Sequence, residues 1–126
     1  MTNASSLNPS VTERFISAFS QNTLLFNIHC HSRDDDLGVH TLKPGDKYNF
    51  SFHENFWGTT HFYCRFTWGQ MYTQFDVFYK RKSPCRFHKV FKTDIYCNWL
   101  VNSSAIYFSR MKNPSPSDFR FVYTWL

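Results

Sequence analysis

Aromatic and aliphatic side chains recur at every second residue through most of this chain, and that spacing is the strongest restriction on what it can fold into. Leu24, Phe26, Ile28 and Cys30 alternate with Leu25, Asn27, His29 and His31, and Tyr48, Phe50 and Phe52 alternate with polar neighbours. Successive side chains of a strand point to opposite faces, so a period of two buries one face and solvates the other. The pattern returns in Phe62, Cys64, Phe66, Trp68, in Phe75, Val77, Tyr79, in Ile95, Cys97, Trp99, Val101, and in Phe119, Phe121, Tyr123, Trp125. No comparable stretch keeps a 3.6-residue period, and no helix is required. Between the runs lie corners. Lys43-Pro44-Gly45-Asp46 suits a tight turn, with Pro fixing φ at the second position and Gly supplying positive φ at the third. Asp36-Leu37-Gly38, Trp57-Gly58-Thr59 and Trp68-Gly69-Gln70 mark further corners, and Asn113-Pro114-Ser115-Pro116 precedes the last strand. Short strands at this spacing predict an antiparallel sandwich or barrel, and the fold class expected is an all-β, antiparallel β-sandwich of two sheets.

A length of 126 residues with 42% hydrophobic and 18% charged side chains supplies one compact domain and not two. Residues 1–13 show no apolar period and read as a flexible N-terminal tail, leaving 14–126 as a single β-sandwich domain. The longest apolar clusters, such as Leu24-Leu25-Phe26, fall far short of a membrane span, so no stable membrane insertion is expected. The residues after Met1 are polar instead of basic-then-apolar, so a secretory leader is not expected among them.

The four cysteines, Cys30, Cys64, Cys85 and Cys97, show no C-x-x-C spacing and read as two intramolecular disulfides. Cys30, Cys64 and Cys97 share the inward phase of their strands, whereas Cys85 follows Ser83-Pro84 in a basic loop. That phase favours one bridge across the core, Cys30 to Cys97, and one pinning the loop, Cys64 to Cys85, although all three pairings are permitted. Disulfides and three sequons, at Asn3, Asn49 and Asn102, both point to a secreted, extracellular glycoprotein.

Chemistry is harder to place. His29 and His31, two apart on one strand, project to the same face as two ligands of one metal would, but no third ligand is visible locally. A solvated strand face is the simpler reading, so no metal is expected. Asp34, Asp35 and Asp36 lack the spacing of a calcium loop and read as a turn whose side chains bond nearby N–H groups. No G-x-S-x-G turn or phosphate loop is present, and the cysteines are committed to bridges. No catalytic residue, no enzymatic activity and no cofactor are expected. A secreted enzyme would need a pocket joining two or more titratable side chains.

The formal charge of +5 favours acidic partners without choosing among them. Its densest feature is Lys80, Arg81, Lys82, Arg86, His88, Lys89 and Lys92, interleaved with Phe87 and Phe91 around Cys85. A solvated loop, a disulfide-held recognition loop and a single-strand nucleic-acid groove compete as readings. An oxidising compartment disfavours nucleic acid as the partner. Exposed Trp57 or Tyr72 stacking on sugar rings gives the alternative of an extracellular carbohydrate-binding module.

The run His29-Cys30-His31-Ser32-Arg33-Asp34-Asp35-Asp36-Leu37-Gly38-Val39-His40, then Leu42-Lys43-Pro44-Gly45 and Tyr48-Asn49-Phe50-Ser51-Phe52, resembles the signature of the plant self-incompatibility protein family, the S-protein homologues. The likeness continues through Asn55-Phe56-Trp57-Gly58-Thr59-Thr60, Phe62-Tyr63-Cys64, Phe66, Trp68 and Cys97-Asn98-Trp99, and weakens from Asn102 onward. The resemblance implies a small secreted plant protein with a disulfide-linked β-sandwich, acting as an extracellular signalling ligand for an unidentified cell-surface receptor; separately, a monomer is expected. In the best-understood members a pistil protein is recognised at the pollen surface; only the ligand role is carried over. The expected partner-facing loops span Asp34 to Gly38, Asn55 to Thr60 and Lys80 to Lys92, with Asp34, Asp35, Asp36, Asn55, Trp57, Lys80, Arg81, Lys82, Arg86 and Lys89 as contact candidates.

Overall fold

The computed structural model describes residues 10–55, 57–80, 82–86 and 94–126. Among them run nine strands: β1 (Ser10–Ser17), β2 (Phe26–Ser32), β3 (Asp36–Leu42), β4 (Lys47–His53), β5 (Phe62–Trp68), β6 (Met71–Phe78), β7 (Ile95–Val101), β8 (Ile106–Ser109) and β9 (Arg120–Tyr123). A 3-10 turn, Pro116–Asp118, precedes β9. The strands form a five-stranded sheet in the order β4-β1-β7-β8-β9 and a four-stranded sheet in the order β3-β2-β5-β6. No helix among the described residues is long and apolar enough to cross a membrane.

Most of the alternating residues face inward and join the sheets by their rings, but Leu24, which precedes β2, and Phe121, on β9 where its pairing with β8 shifts register, are 61% and 57% exposed. Phe15 of β1 meets Phe66 of β5 edge-on at 5.7 Å, and Phe75 of β6 lies 5.1 Å from Trp99 of β7. Phe52 of β4 touches Phe62 and Phe78 at 4.4 and 5.1 Å. Each buried ring removes about 150–250 Å² from water, and edge-to-face pairs add roughly 0.5–1.5 kcal/mol beyond that burial. The two-layer all-β architecture follows from this interlock.

The expected turn at Lys43-Pro44-Gly45-Asp46 forms. Gly45 takes φ +87°, the Asp46 N–H donates to the Lys43 carbonyl at 2.9 Å, and Asp46 Oδ2 accepts from the Lys43 N–H.

The expected all-β, two-sheet, antiparallel-rich sandwich forms, and four details change. The strand order begins at Ser10, so residues 10–13 belong to the domain and not to a tail; residues 1–9 lie outside the described residues. Only Val11 and Phe15 of the inward positions of β1 are apolar, the others being Glu13 and Ser17, which hides the strand from a hydrophobic reading. β1 lies between β4 and β7 and runs parallel to β7, Val11 opposite Ile95 and Ser17 opposite Val101, so the five-stranded sheet is not purely antiparallel. Asp36-Leu37-Gly38 is not a corner. The corner is Arg33–Asp35, and Leu37 and Gly38 lie within β3 as two residues set against Cys30 alone, a bulge made possible by Gly38 at φ +79°.

The disulfides are Cys30–Cys64 and Cys85–Cys97, not Cys30–Cys97 and Cys64–Cys85. Cys30 and Cys64 are register partners on adjacent strands of one sheet, with Cα atoms 4.0 Å apart. Cys97 lies in the other sheet, where it secures the Cys85 loop. Inward phase is common to all three strand cysteines and carries no information about which sheet each strand joins.

Proteolysis without reductant is expected to release crosslinked peptides containing Cys30 with Cys64 and Cys85 with Cys97. A Cys30 to Cys97 peptide would contradict this pairing. Replacing Cys30 and Cys64 by Ala should lower unfolding free energy by about 2–4 kcal/mol in a denaturant titration.

Candidate functional site: the loop-bearing end

Strand register decides which loops meet. In the four-stranded sheet Ser32 faces Phe62, and Phe62 faces Phe78. The β2–β3 turn, the start of β5 and the end of β6 therefore share one end. In the five-stranded sheet Ser10 faces His53 and Val11 faces Ile95, which brings together the end of β4 and the start of β7. Because Phe52 touches both Phe62 and Phe78, the two ends coincide. All three expected partner-facing loops leave the sandwich there.

Asp34 and Asp35 are exposed in the β2–β3 turn, where Ser32 Oγ accepts the Asp35 N–H at 3.1 Å. Asp36 opens β3. Its Oδ1 accepts the Gly38 N–H at 2.9 Å and lies 2.6 Å from His29 Nε2; the Gly38 bond first, then His29, holds the carboxyl below its ordinary pKa. The side chain of Asn55 is the hub of its own loop: Oδ1 accepts the Thr59 N–H and Nδ2 donates to Thr59 Oγ1, both at 2.9 Å. Trp57, two residues on, is 79% exposed. Lys80 and Lys82 place their ammonium groups 5.7 and 5.8 Å from the Tyr79 ring, and Arg86 is exposed. Arg81 and Lys89 lie outside the described residues, as does the segment 87–93.

Residues that no sequence pattern marked hold the basic loop in place. Arg110, just after β8, donates from Nε and Nη2 to the Pro84 carbonyl, one residue before Cys85. Burial first, then Arg86 and Arg120, lowers the guanidinium pKa, so three arginines crowd this side of the loop. Beneath Cys85 lies Glu13, wholly buried. Its Oε1 accepts the Trp99 Nε1–H at 2.7 Å, and Oε2 lies 3.1 Å from Cys85 Sγ. A disulfide sulfur carries no hydrogen, so a proton between these atoms must come from the carboxyl. Burial pushes the Glu13 pKa well above the ordinary carboxylate range, against the opposing Trp99 hydrogen bond, and so favours the protonated form.

Beside this end runs a cleft of about 610 Å³ lined by His61, Tyr63, Gln74, Asp76, Lys82 and Tyr123. His61 Nε2 lies 2.5 Å from Asp76 Oδ1, and the imidazole stacks on Tyr79 at 4.1 Å. Burial, then Asp76, raises the Tyr123 phenol pKa. The cleft joins titratable groups as an enzyme's pocket would. Among the described residues its lining holds no Ser, Thr or Cys, and its titratable groups are His61, Tyr63, Asp76, Lys82 and Tyr123. Polar and aromatic surfaces in this arrangement suit binding of a ligand. Trp57 and Tyr72 do not combine into one sugar platform. Tyr72 sits by the β5–β6 turn at the opposite end, with the Arg65 guanidinium 4.2 Å over its ring.

The model of the plant self-incompatibility protein S1 family matches residues 14–125. The chain belongs to this family. The match extends through the segment after Asn102, where motif by motif the likeness had weakened. Among S1-family relatives, S-protein homolog 3 of Arabidopsis thaliana is 35% identical over 102 residues, 81% of this chain and 64% of that protein. S-protein homolog 21 of the same plant is 35% identical over 95 residues, 75% of this chain and 69% of that one. The chain thus spans just under two thirds of the first of these. A solved self-incompatibility protein homologue superposes with a TM-score of 0.66 at 17% identity, covering 92% of this chain and 94% of that one. That structure represents what is described as a widespread family of small, highly stable, secreted plant proteins. The S1-family fold is therefore shared.

Glu13 gives this end a measurable pH dependence. A carboxyl whose folded pKa is raised favours the folded state fully below the unfolded value of about 4.5, and loses that contribution as pH rises toward the folded pKa. Glu13→Gln keeps an acceptor for Trp99 without an ionisable group. Between pH 4 and pH 8 the melting temperature of the variant should gain on that of the native chain; parallel curves would show that Glu13 does not titrate differently on folding.

Proposed function

We propose that this chain is a secreted, monomeric signalling ligand that a plant cell-surface receptor recognises through its loop-bearing end. The observation that carries the reading is the register-driven convergence of the β2–β3, β4–β5 and β6–β7 loops. The Cys85–Cys97 disulfide and the Arg110 bond to the Pro84 carbonyl anchor the described part of the most basic of them. Pre-ordered loops lose less conformational entropy on binding, and rigid sheets beneath them tolerate variation in loop sequence. Membership in the S1 family, two disulfides and a structural neighbour described as secreted support export. The cationic surface at Lys80, Lys82 and Arg86 fits an acidic receptor face. Asn49, exposed on edge strand β4, is the sequon best placed to carry a glycan, whereas Asn102 uses its Oδ1 to accept the N–H groups of Ser104 and Ala105. Asn3 lies outside the described residues.

Charge reversal at Lys80 and Lys82 should weaken capture by plant membrane proteins by about tenfold at low ionic strength, with the effect shrinking as salt is added. Unfolding free energy should stay within about 0.5 kcal/mol, because both side chains are exposed. Unchanged capture would remove this loop from the interface. Glycan-array binding that is lost in Trp57→Ala would favour a carbohydrate-binding module instead, and turnover abolished by His61→Asn would favour an enzyme. Loss of a glycan mass in Asn49→Gln, after secretion from plant cells, checks the glycosylation site.

A further inference from the structure

His29 and His31 supply two imidazoles on one face of β2, and the fold supplies the third ligand that their sequence neighbourhood does not show. Across the β2–β3 hairpin, Asp36 is the register partner of His31. The bulge that sets Leu37 and Gly38 against Cys30 turns the Asp36 carboxylate back over the strand, 2.6 Å from His29 Nε2. The two imidazoles lie 4.6 Å apart, centroid to centroid, and one donor atom from each of the three side chains falls within 4.8 Å of the others. We propose that His29, His31 and Asp36 form a binding site for a borderline divalent transition ion, with Zn²⁺ as the matching cation and solvent completing its coordination.

The surroundings fit that role. Two imidazoles and one carboxylate are a ligand set for zinc and its neighbours, not for Mg²⁺ or Ca²⁺, which take oxygen. The Tyr63 ring lies against His31 at 4.5 Å and limits its rotation. Arg65, the cross-strand partner of His29 on β5, is the nearest competing cation in register, and its guanidinium is drawn away over the Tyr72 ring. Asp36 Oδ1 accepts the Gly38 N–H and lies against His29 Nε2, so an ion would replace the His29–Asp36 hydrogen bond while the Gly38 bond keeps the carboxylate in place. Access is open, since the His29 and Asp36 side chains are 32% and 64% exposed. A bound ion would link edge strand β3 to β2 immediately beside Asp34 and Asp35, stiffening one of the three loops at the candidate receptor face. The site stands on its own geometry, independent of the receptor reading.

Titrating untagged, oxidised protein with ZnCl2 in a calorimeter at neutral pH tests the site, with MgCl2 as the parallel arm. The expected result is one saturable Zn²⁺ equivalent, no Mg²⁺ binding, and a melting temperature that rises with Zn²⁺ concentration. His29→Gln and His31→Gln, each checked for an unchanged circular dichroism spectrum, should weaken Zn²⁺ binding by roughly tenfold or more, since even outer-shell partners are worth that much. His53→Gln, on β4, should not. Zn²⁺ binding that survives in both His29→Gln and His31→Gln, or no saturable Zn²⁺ binding to the native chain, overturns the proposal. Asp36→Asn gives a further readout that leaves both imidazoles in place: weaker Zn²⁺ binding supports the three-ligand site, and unchanged affinity overturns it.

Discussion

The Cys85–Cys97 bond is the constraint on which the basic side of the loop-bearing end depends, because it joins the long β6–β7 crossover to a central strand of the five-stranded sheet. Cys97 is buried in β7 beside Trp99, and Glu13 reaches from the neighbouring strand to touch both the Trp99 indole and the Cys85 sulfur. Arg110 then grips the Pro84 carbonyl from outside. One covalent link, one buried acid and one cation thus tie the residues around Cys85 to the aromatic core. A buried ionised carboxylate would be costly here, so burial favours the protonated form of Glu13.

Much of this architecture was legible in the chain, and the illegible parts share a cause. Strands with aromatic inward positions, such as Phe62, Cys64 and Phe66, showed themselves through their period. β1 and β8 did not: the first puts Glu13 and Ser17 inward, and the second is only four residues long. β3 was read as a corner because Asp-Leu-Gly is turn chemistry, yet Gly38 spends its positive φ on a bulge inside a strand. The disulfide pairing failed for a deeper reason. Period reports which face a residue occupies, while pairing depends on which strands become neighbours.

The same limit applied to function. The three loops were identifiable by their composition, but their convergence on one end is a property of register. Likewise two histidines on one strand were visible, whereas Asp36 became a third potential ligand only through the hairpin and its bulge. Arg110 carried no local signal, since its role depends on the position of Pro84 across the molecule. Side-chain chemistry can be read along the chain; its assembly into a site comes from contacts that the one-dimensional order conceals.

The two sulfur bridges each join cysteines that are adjacent in chain order, and this bears on how the molecule can be made. On the proposed export route, a polypeptide threaded N-terminus first into an oxidising lumen presents Cys30 and Cys64 before Cys85 has emerged, so the first two thiols able to meet are the correct couple. The sheet that contains them is completed by residue 78 and needs nothing downstream for its hydrogen-bonded ladder. The other sheet must wait, since Ser10 bonds to Asp94, 84 positions away. Delivery in that order would sort the thiols by timing and favour the native pairs over mixed ones.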